Sequence, residues 1–281
     1  MTSGEFSYIR DLLQNHGGLL LEEGKEYLAE SRLQPLAQLE GFRSITEMIA
    51  SLRVKEGDGL RRQVIEAMTT NETSFFRDFP AFKALGSHVI PDLIRKRAER
   101  KRLSIWSAAC SSGQEPYSIA MLLRDQFPQI ADWSNTILAS DLSEAMLARA
   151  RSARYNQIEI NRGLPAALLV NHFVRRGLEW EIGFELRSAV EFKRINLSEP
   201  WPALPPVDLV MLRNVLIYLS AGTRTSVLER VRHVLKADGY LFLGGTETTY
   251  GIDDAFERVE LGGAAFYRLR GDRHGSVNAG C

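Results

Sequence analysis

A short apolar run that leads into a loop of small residues, and then into a helical pattern, constrains the fold of this chain most. The run Leu103–Trp106 predicts a strand buried on both faces, and Ser107–Gly113 carries only Ser, Ala, Cys and Gly. Apolar residues then recur at helical spacing, and the helix is expected to begin just before Pro116, because proline is tolerated in a first turn. Ser112 with Glu115 resembles a capping box at this start. This order predicts a doubly wound α/β sheet.

The small-residue loop indicates which ligands fit. Backbone N–H groups of such a loop can approach a ligand at the carboxyl edge of a parallel sheet. The G-x-G-x-x-G fingerprint is absent, since only Gly113 is a glycine, so a dinucleotide pyrophosphate fits poorly. A nucleoside without phosphates, such as S-adenosylmethionine, fits better. An ordinary βα turn that packs tightly explains this stretch equally well.

Composition excludes several classes of protein. The 281 residues allow one large or two modest domains, and the formal net charge of +0 gives no support to nucleic-acid binding. The two cysteines, Cys110 and Cys281, offer neither a disulfide framework nor zinc-ligand spacing, and no metal is expected. No apolar run reaches about 18 residues, and residues 1–15 lack the apolar core of a signal peptide. We therefore expect a cytoplasmic protein.

The patterning divides the chain into unequal parts. Residues 1–67 predict a helical module without strands, and residues 68–270 predict the α/β domain. Alternation at about 171–193 predicts short antiparallel strands inserted in that domain, and the Gly-rich residues 271–281 predict a flexible tail. The helical module carries basic residues that form either a solvated surface or a docking face for an acidic helix. These residues are Arg32, Arg43, Arg53, Lys55, Arg61 and Arg62.

The segment between the two parts has an unusual composition. Thr69–Phe82, TTNETSFFRDFPAF, combines short polar side chains with four phenylalanines. It predicts either an ordered lid over a pocket, with Arg77 as its fixed cation, or a linker pinned by aromatic burial.

Two predicted strands end in polar residues. Thr136–Asp141 closes on an acid that could accept both hydroxyls of a ribose, or could cap the helix that follows; the two roles are compatible. After the strand Val207–Leu212 come Arg213, Asn214 and Tyr218. Buried polar groups are costly unless bonded, so these three side chains converge on a ligand or form a rim bonded to local backbone.

Six motifs together carry a family resemblance. They are TTNETSFFRD at Thr69–Asp78, WSAACSSGQEPYSIA at Trp106–Ala120, ASDLS at Ala139–Ser143, NLSEPW at Asn196–Trp201, DLVMLRNVLIYL at Asp208–Leu219 and DGYLFLGGTE at Asp238–Glu247. Over nearly the whole chain they resemble the CheR family of chemotaxis-receptor methyltransferases. Two departures are Gln114, where the family often has an acid, and Gly245, where it often has a histidine.

The resemblance implies a fold, a cofactor and site residues. The fold is a Rossmann-like S-adenosylmethionine-dependent methyltransferase sheet with helices on both faces, a small helical N-terminal domain and an inserted antiparallel β-subdomain. The product of the cofactor is S-adenosylhomocysteine. The implied cofactor contacts are Asn71, Thr73, Arg77 and Ala109, with Glu115 at the methionyl amino group, Asp141 at the ribose, Asn196 and Leu197 at the adenine, and Arg213 and Asn214 closing the pocket.

The resemblance also implies the substrate, which is the glutamate side chains of chemoreceptors. A glutamate carboxylate is already ionised at neutral pH, so no general base is required. Arg77 and Tyr218 are the expected catalytic residues, which orient that carboxylate by hydrogen bonds. A module that binds S-adenosylmethionine without transferring methyl, and a nicotinamide dehydrogenase, are the rival interpretations; the missing glycines weigh against the second.

The expected partners follow from the same resemblance. The basic helical module would lie along the methylation helices of a receptor, and the protein would be recruited to receptor arrays without inserting into the membrane. A monomer is expected. The short turn at Arg175–Gly177 favours recruitment without a tethering peptide.

Overall fold

The computed structural model describes residues 1–54 and 58–271 of the chain. Lys55 and the predicted flexible tail beyond Gly271 lie outside the described residues. The strands are β1 Ser104–Ala108, β2 Thr136–Asp141, β3 Arg154–Asn156, β4 Phe173–Arg176, β5 Glu179–Ile182, β6 Val190–Arg194, β7 Val207–Leu212, β8 Leu235–Leu243, β9 Phe256–Leu261 and β10 Ala264–Leu269. The α-helices are α1 Ser3–Leu12, α2 Glu26–Leu39, α3 Ile45–Val54, α4 Asp58–Met68, α5 Phe79–Ala84, α6 Ile90–Arg97, α7 Gln114–Gln126, α8 Glu144–Ser152, α9 Gln157–Asn161, α10 Ala166–His172, α11 Phe184–Ser188 and α12 Ala221–Val234.

A seven-stranded sheet in the order β6-β2-β1-β7-β8-β10-β9 forms the centre of the α/β domain. The first five strands run parallel, and β10 and β9 are antiparallel additions at one edge. Both faces are covered, because Ile105 of β1 packs in one apolar cluster with Leu93 of α6, and Trp106 packs in the other with Leu228 of α12. The predicted Rossmann-like fold with helices on both faces is confirmed.

The helical module has an apolar core of its own. Thr2 and Glu5 form a capping box at the start of α1, which continues into a π turn at Leu13–Gly17. Ile9, Leu33 and Met48 are the centre of its core. No strand occurs in the described part of this module, but Leu19 forms a single antiparallel bridge with Leu219 of the α/β domain. The two parts are therefore joined by backbone hydrogen bonds.

The small antiparallel sheet is present, with bounds that differ from the expected 171–193. Its strand order is β3-β5-β4, so it begins at Arg154, and the segment 190–194 pairs in parallel with β2 of the large sheet instead. The alternation of Leu178, Trp180, Ile182, Phe184 and Leu186 predicts strands as far as Leu186. This prediction is wrong beyond Ile182, because Phe184–Ser188 forms a helix that buries Leu186. A short amphipathic helix and a strand present similar apolar spacing over so few residues.

Two further strands differ from the sequence prediction. The pattern of Phe192–Leu197 predicts a strand that reaches Leu197, but β6 ends at Arg194, so Asn196 and Leu197 lie in the loop after it. The strand β9, with its alternating exposed side chains, was not predicted. Among the described helices, none combines the length and apolarity that a bilayer span requires.

Candidate active site

A cleft of about 1320 Å³, open solvent included, lies where the parallel strands end. Every site residue expected from the sequence lines it. These residues are Asn71, Thr73, Arg77, Ala109, Glu115, Asp141, Asn196, Leu197, Arg213, Asn214 and Tyr218. They come from the segment before α5, from the end of β2, from the first turn of α7 and from the loops that follow β1, β6 and β7. The structure brings them together, while the role assigned to each one stays a prediction.

The loop after β1 turns sharply beneath the cleft. Ala109 and Ser111 adopt positive φ angles of 56° and 50°, and Gly113 has a φ of 93°. A Cβ on Gly113 would lie 2.8 Å from the Cβ of Ala150, so a side chain does not fit there. The Cys110 N–H donates to the Ser140 carbonyl at 2.8 Å, which ties the loop to β2. This strained turn brings Ala109, Cys110 and Ser111 to the wall of the cleft.

The capping box predicted from Ser112 and Glu115 is wrong, and the difference matters for the site. Gly113 is the N-cap of α7 and makes no side-chain cap. Because Glu115 is released from that task, its carboxylate faces the cleft, where it accepts hydrogen bonds from Ser107 Oγ at 2.8 Å and from Arg213 Nη1 at 3.1 Å. A carboxylate has about four acceptor positions, so Glu115 can still accept from an ammonium group.

Arg213 connects three parts of the site. It is 5% exposed, and besides Glu115 it donates through Nη2 to the Arg77 carbonyl at 3.0 Å and to the Asp78 carboxylate. Its guanidinium carbon lies 4.8 Å from the ring centre of Phe242. Arg213 therefore fixes both Glu115 and the segment that carries Arg77, which agrees with the prediction that polar residues after β7 converge.

Asp141 ends β2 as a buried carboxylate. It accepts the Ser111 N–H at 2.8 Å and the Ser143 N–H at 2.9 Å. Burial raises the pKa of Asp141, while hydrogen bonds from the backbone of Ser143, Ser111 and Leu142 act to lower it. Ser143, not Asp141, is the N-cap of α8, so the capping alternative for Asp141 is wrong. The remaining acceptor positions of Asp141 suit a diol.

The segment that carries Arg77 is pinned on both sides. Phe75 and Phe76 are buried, the Phe76 N–H donates to Ser118 Oγ at 3.0 Å, and Phe76 and Asp78 have positive φ angles of 47° and 62°. Between them Arg77 is half-buried at the cleft, with Nη1 bonded to the Glu72 carbonyl at 2.9 Å. Its other guanidinium donors are available to a carboxylate. Buried phenylalanines and a cleft-facing cation satisfy the lid interpretation and the pinned-linker interpretation together.

The helical module supplies a wall of the cleft that the sequence did not reveal. Gly17, Leu19, Leu20 and Leu21 line it, and the Asn196 amide donates to the His16 carbonyl at 3.1 Å. The Asn196 Oδ1 accepts from Ser198, so the amide of Asn196 is engaged at both ends. Asn196 therefore shapes the cleft by holding this wall in place. The remote position of residues 16–21 in the chain hid this contact.

Arg32 also belongs to the site surroundings and not to an open basic surface. Its guanidinium donates to the Met68 and Thr69 carbonyls, and to Thr70 Oγ1 at 3.0 Å. Arg32 thus holds the start of the segment that leads to Asn71.

Besides the wall at residues 17–21, the sequence analysis did not identify a role for Glu247, which lies in the last family motif. It is 8% exposed and accepts backbone N–H groups from the loop that contains Asn214. Asn214 has a φ of 57°, and beyond it Tyr218 lines the cleft. Within the described residues the Tyr218 hydroxyl makes no hydrogen bond, so it is available to a ligand.

The residues around the cleft fit S-adenosylmethionine. Asp141 offers acceptors for ribose hydroxyls, Glu115 offers one for an ammonium, and Leu142 and Leu197 form an apolar wall suited to an adenine. No phosphate cradle is needed for this ligand. Among the described residues, no group of three or more His, Cys, Asp or Glu side chains could hold a metal ion.

Comparisons with known proteins show the family of this chain and its cofactor. The model of the CheR methyltransferase S-adenosylmethionine-binding domain matches residues 71–263, and the model of the CheR methyltransferase all-alpha domain matches residues 4–69. Chemotaxis protein methyltransferase Cher2 of Pseudomonas putida is 40% identical over 271 residues, which is 95% of this chain and 98% of that protein. Chemotaxis protein methyltransferase 1 of Pseudomonas aeruginosa is 38% identical over 273 residues, with 95% and 98% covered. The chain belongs to the CheR methyltransferase family, whose methyl donor is S-adenosylmethionine.

Proposed function

We propose that this protein methylates glutamate side chains of chemoreceptors, giving glutamate methyl esters and S-adenosylhomocysteine. The names of its relatives place them in chemotaxis. The observation that carries the proposal is that the cation Arg77 lines the same cleft as Tyr218, whose hydroxyl makes no hydrogen bond to any described residue, beside Glu115 and Asp141. Two hydrogen-bond donors of this kind suit a carboxylate.

The residues of the chain act by binding and orientation. When bound, S-adenosylmethionine supplies an electrophilic methyl group on a sulfonium. Arg77 holds the substrate carboxylate by charge-assisted hydrogen bonds, and Tyr218 donates one bond that fixes which oxygen faces the methyl. Since a glutamate is ionised at neutral pH, no proton has to be removed, and well-aligned reactants can gain roughly 7–11 kcal/mol from positioning alone.

The substrate would approach along the helical module. Arg43, Arg53 and Arg62 are exposed there, which suits an acidic receptor helix. The expected location is the cytoplasm, at receptor arrays.

The deciding experiment is incubation of the protein with methyl-labelled S-adenosylmethionine and receptor cytoplasmic fragments. A matched fragment has glutamine at every candidate glutamate. We expect base-labile label on the first fragment and none on the second. Cofactor binding without ester formation across a panel of receptors would contradict the proposal and favour a cofactor-sensing module.

A further inference from the structure

We propose that Glu247 is a positioning residue for methyl transfer, which holds the loop that presents Tyr218 to the cleft. The proposal rests on the function proposed above. Among the described residues that line the cleft Glu247 is absent, so it acts through the loop and not on the substrate.

The Glu247 carboxylate gathers the backbone of this loop. Its Oε2 accepts the N–H of Asn214 and that of Gly244, each at 2.7 Å. Its Oε1 accepts the N–H groups of Val215 at 2.9 Å and Leu216 at 2.7 Å. A longer bond of 3.4 Å comes from the next N–H, that of residue 217. Within the described part of the chain no cation pairs with Glu247, so backbone amides alone satisfy a carboxylate that is 8% exposed.

These bonds determine where Tyr218 lies. Leu216–Tyr218 forms a 3₁₀ turn, and its free N-terminal amides are those that Glu247 accepts, as a capping side chain does for a helix. On the far side the Tyr218 carbonyl accepts the Leu20 N–H at 2.8 Å, and the Ser220 N–H donates to the Gly18 carbonyl at 3.0 Å. The turn is thus held between Glu247 and the helical module, with the Tyr218 side chain facing the cleft.

The packing around Glu247 leaves no space for an added methyl group on Gly244. A Cβ added to Gly244 would lie 2.6 Å from Asn214 Nδ2, 2.7 Å from Glu247 Oε2 and 2.9 Å from the Asn214 backbone nitrogen. A Cβ added to the neighbouring Gly245 would have no atom within 4 Å. The chain therefore offers two independent ways to disturb the loop and a matched control for one of them.

The test compares Glu247→Gln and Gly244→Ala with Gly245→Ala and with Glu257→Gln, a change at an exposed strand glutamate. The glutamine amide would point an N–H at backbone N–H groups whichever way it turned. Because a shift of about 1 Å can cost roughly 100-fold in rate, we expect kcat on a receptor fragment to fall by about that factor in the first two variants. Affinity for S-adenosylhomocysteine should change less than about 3-fold in Gly245→Ala and Glu257→Gln, and in the first two variants it should change less than about 10-fold, because Asn214 also lines the cleft.

A double-mutant cycle separates positioning from general destabilisation. In a Tyr218→Phe background, Glu247→Gln should lower kcat less than about 3-fold further, because the group it positions is already gone. Gly244→Ala runs the same cycle if Glu247→Gln does not fold. An undiminished fall in the Tyr218→Phe background, or wild-type kcat in Glu247→Gln, would overturn the inference. A wild-type protein that forms no ester would instead refute the proposed function.

Discussion

Arg77→Ala is expected to lower the rate of methyl transfer with little effect on the free energy of unfolding. Among the residues that the structure describes, the half-buried Arg77 guanidinium makes one hydrogen bond, from Nη1 to the Glu72 carbonyl. Because this bond is exposed and solvent screens the guanidinium charge, it contributes about 0.5–1.5 kcal/mol, so the free energy of unfolding should fall by no more than about 1.5 kcal/mol. A hydrogen bond to a charged substrate group is worth about 1.5–3 kcal/mol, which corresponds to roughly 10- to 150-fold in kcat/KM.

The assay measures initial rates of base-labile methyl incorporation into a receptor fragment, with S-adenosylhomocysteine affinity measured by calorimetry on the same samples. Arg77→Lys should lie between wild type and Arg77→Ala, since it keeps the charge and loses the planar fork. Arg100→Ala, at an exposed position before β1 and thus away from the cleft, is the matched control. Retention of more than half the wild-type kcat/KM by Arg77→Ala would refute the reasoning. So would a loss of unfolding free energy so large that the unfolded fraction of the variant accounts for the whole decrease in rate.

Three further changes test the surroundings of the cleft. Asp141→Asn should weaken S-adenosylhomocysteine binding about 10- to 100-fold by calorimetry, because its amide would face a backbone N–H. Burial raises the pKa of Asp141 above its ordinary value of 3.8. The affinity of the wild type for S-adenosylhomocysteine should therefore fall as the pH falls through that raised pKa, which is higher than the pKa of an exposed aspartate. Asp141→Asn should lose this pH dependence. Arg213→Met strips Glu115 of its buried partner, and we expect a loss of about 3–5 kcal/mol in chemical denaturation; a loss below 1 kcal/mol would contradict the role given to Arg213. Gly163→Ala would place a Cβ 2.1 Å from the Phe75 carbonyl oxygen. The free energy of unfolding should therefore fall by about 1–3 kcal/mol more than in Gly177→Ala, where the glycine has a positive φ but open space around it. Equal losses in the two variants would show that the backbone at Phe75 moves aside without cost.

The elements that sequence reasoning predicted well are those whose signal is local. Buried strands such as Thr136–Asp141 and Val207–Leu212 are recognised by short runs of mostly apolar residues, and their predicted bounds agree with the structure. The parallel topology then brings the residues after those strands to one edge, which is why Asp141, Arg213 and Tyr218 meet.

What the sequence did not reveal depends on contacts between distant segments. Glu115 stands three residues after Ser112, so spacing alone assigned it to a capping box, while the family resemblance placed it at the cofactor; the bond from Arg213 holds its carboxylate at the cleft. Glu247 accepts hydrogen bonds from backbone amides about thirty residues earlier in the chain. The helical and strand periodicities of a sequence relate only neighbouring residues, so they do not reveal such a partner. The wall formed by residues 17–21 is hidden in the same way.

That wall has a consequence for engineering the protein. Because Gly17 and Leu19–Leu21 line the same cleft as Asp141 and Glu115, the N-terminal helical module is a structural component of the cofactor cleft as well as a candidate receptor-facing surface. Chimeras that exchange this module between relatives, in order to change receptor choice, would alter donor affinity at the same time. Under the proposed function, receptor choice and donor affinity would therefore change together, and grafts that keep the His16–Leu21 stretch of the recipient are the ones expected to preserve methyl-donor binding.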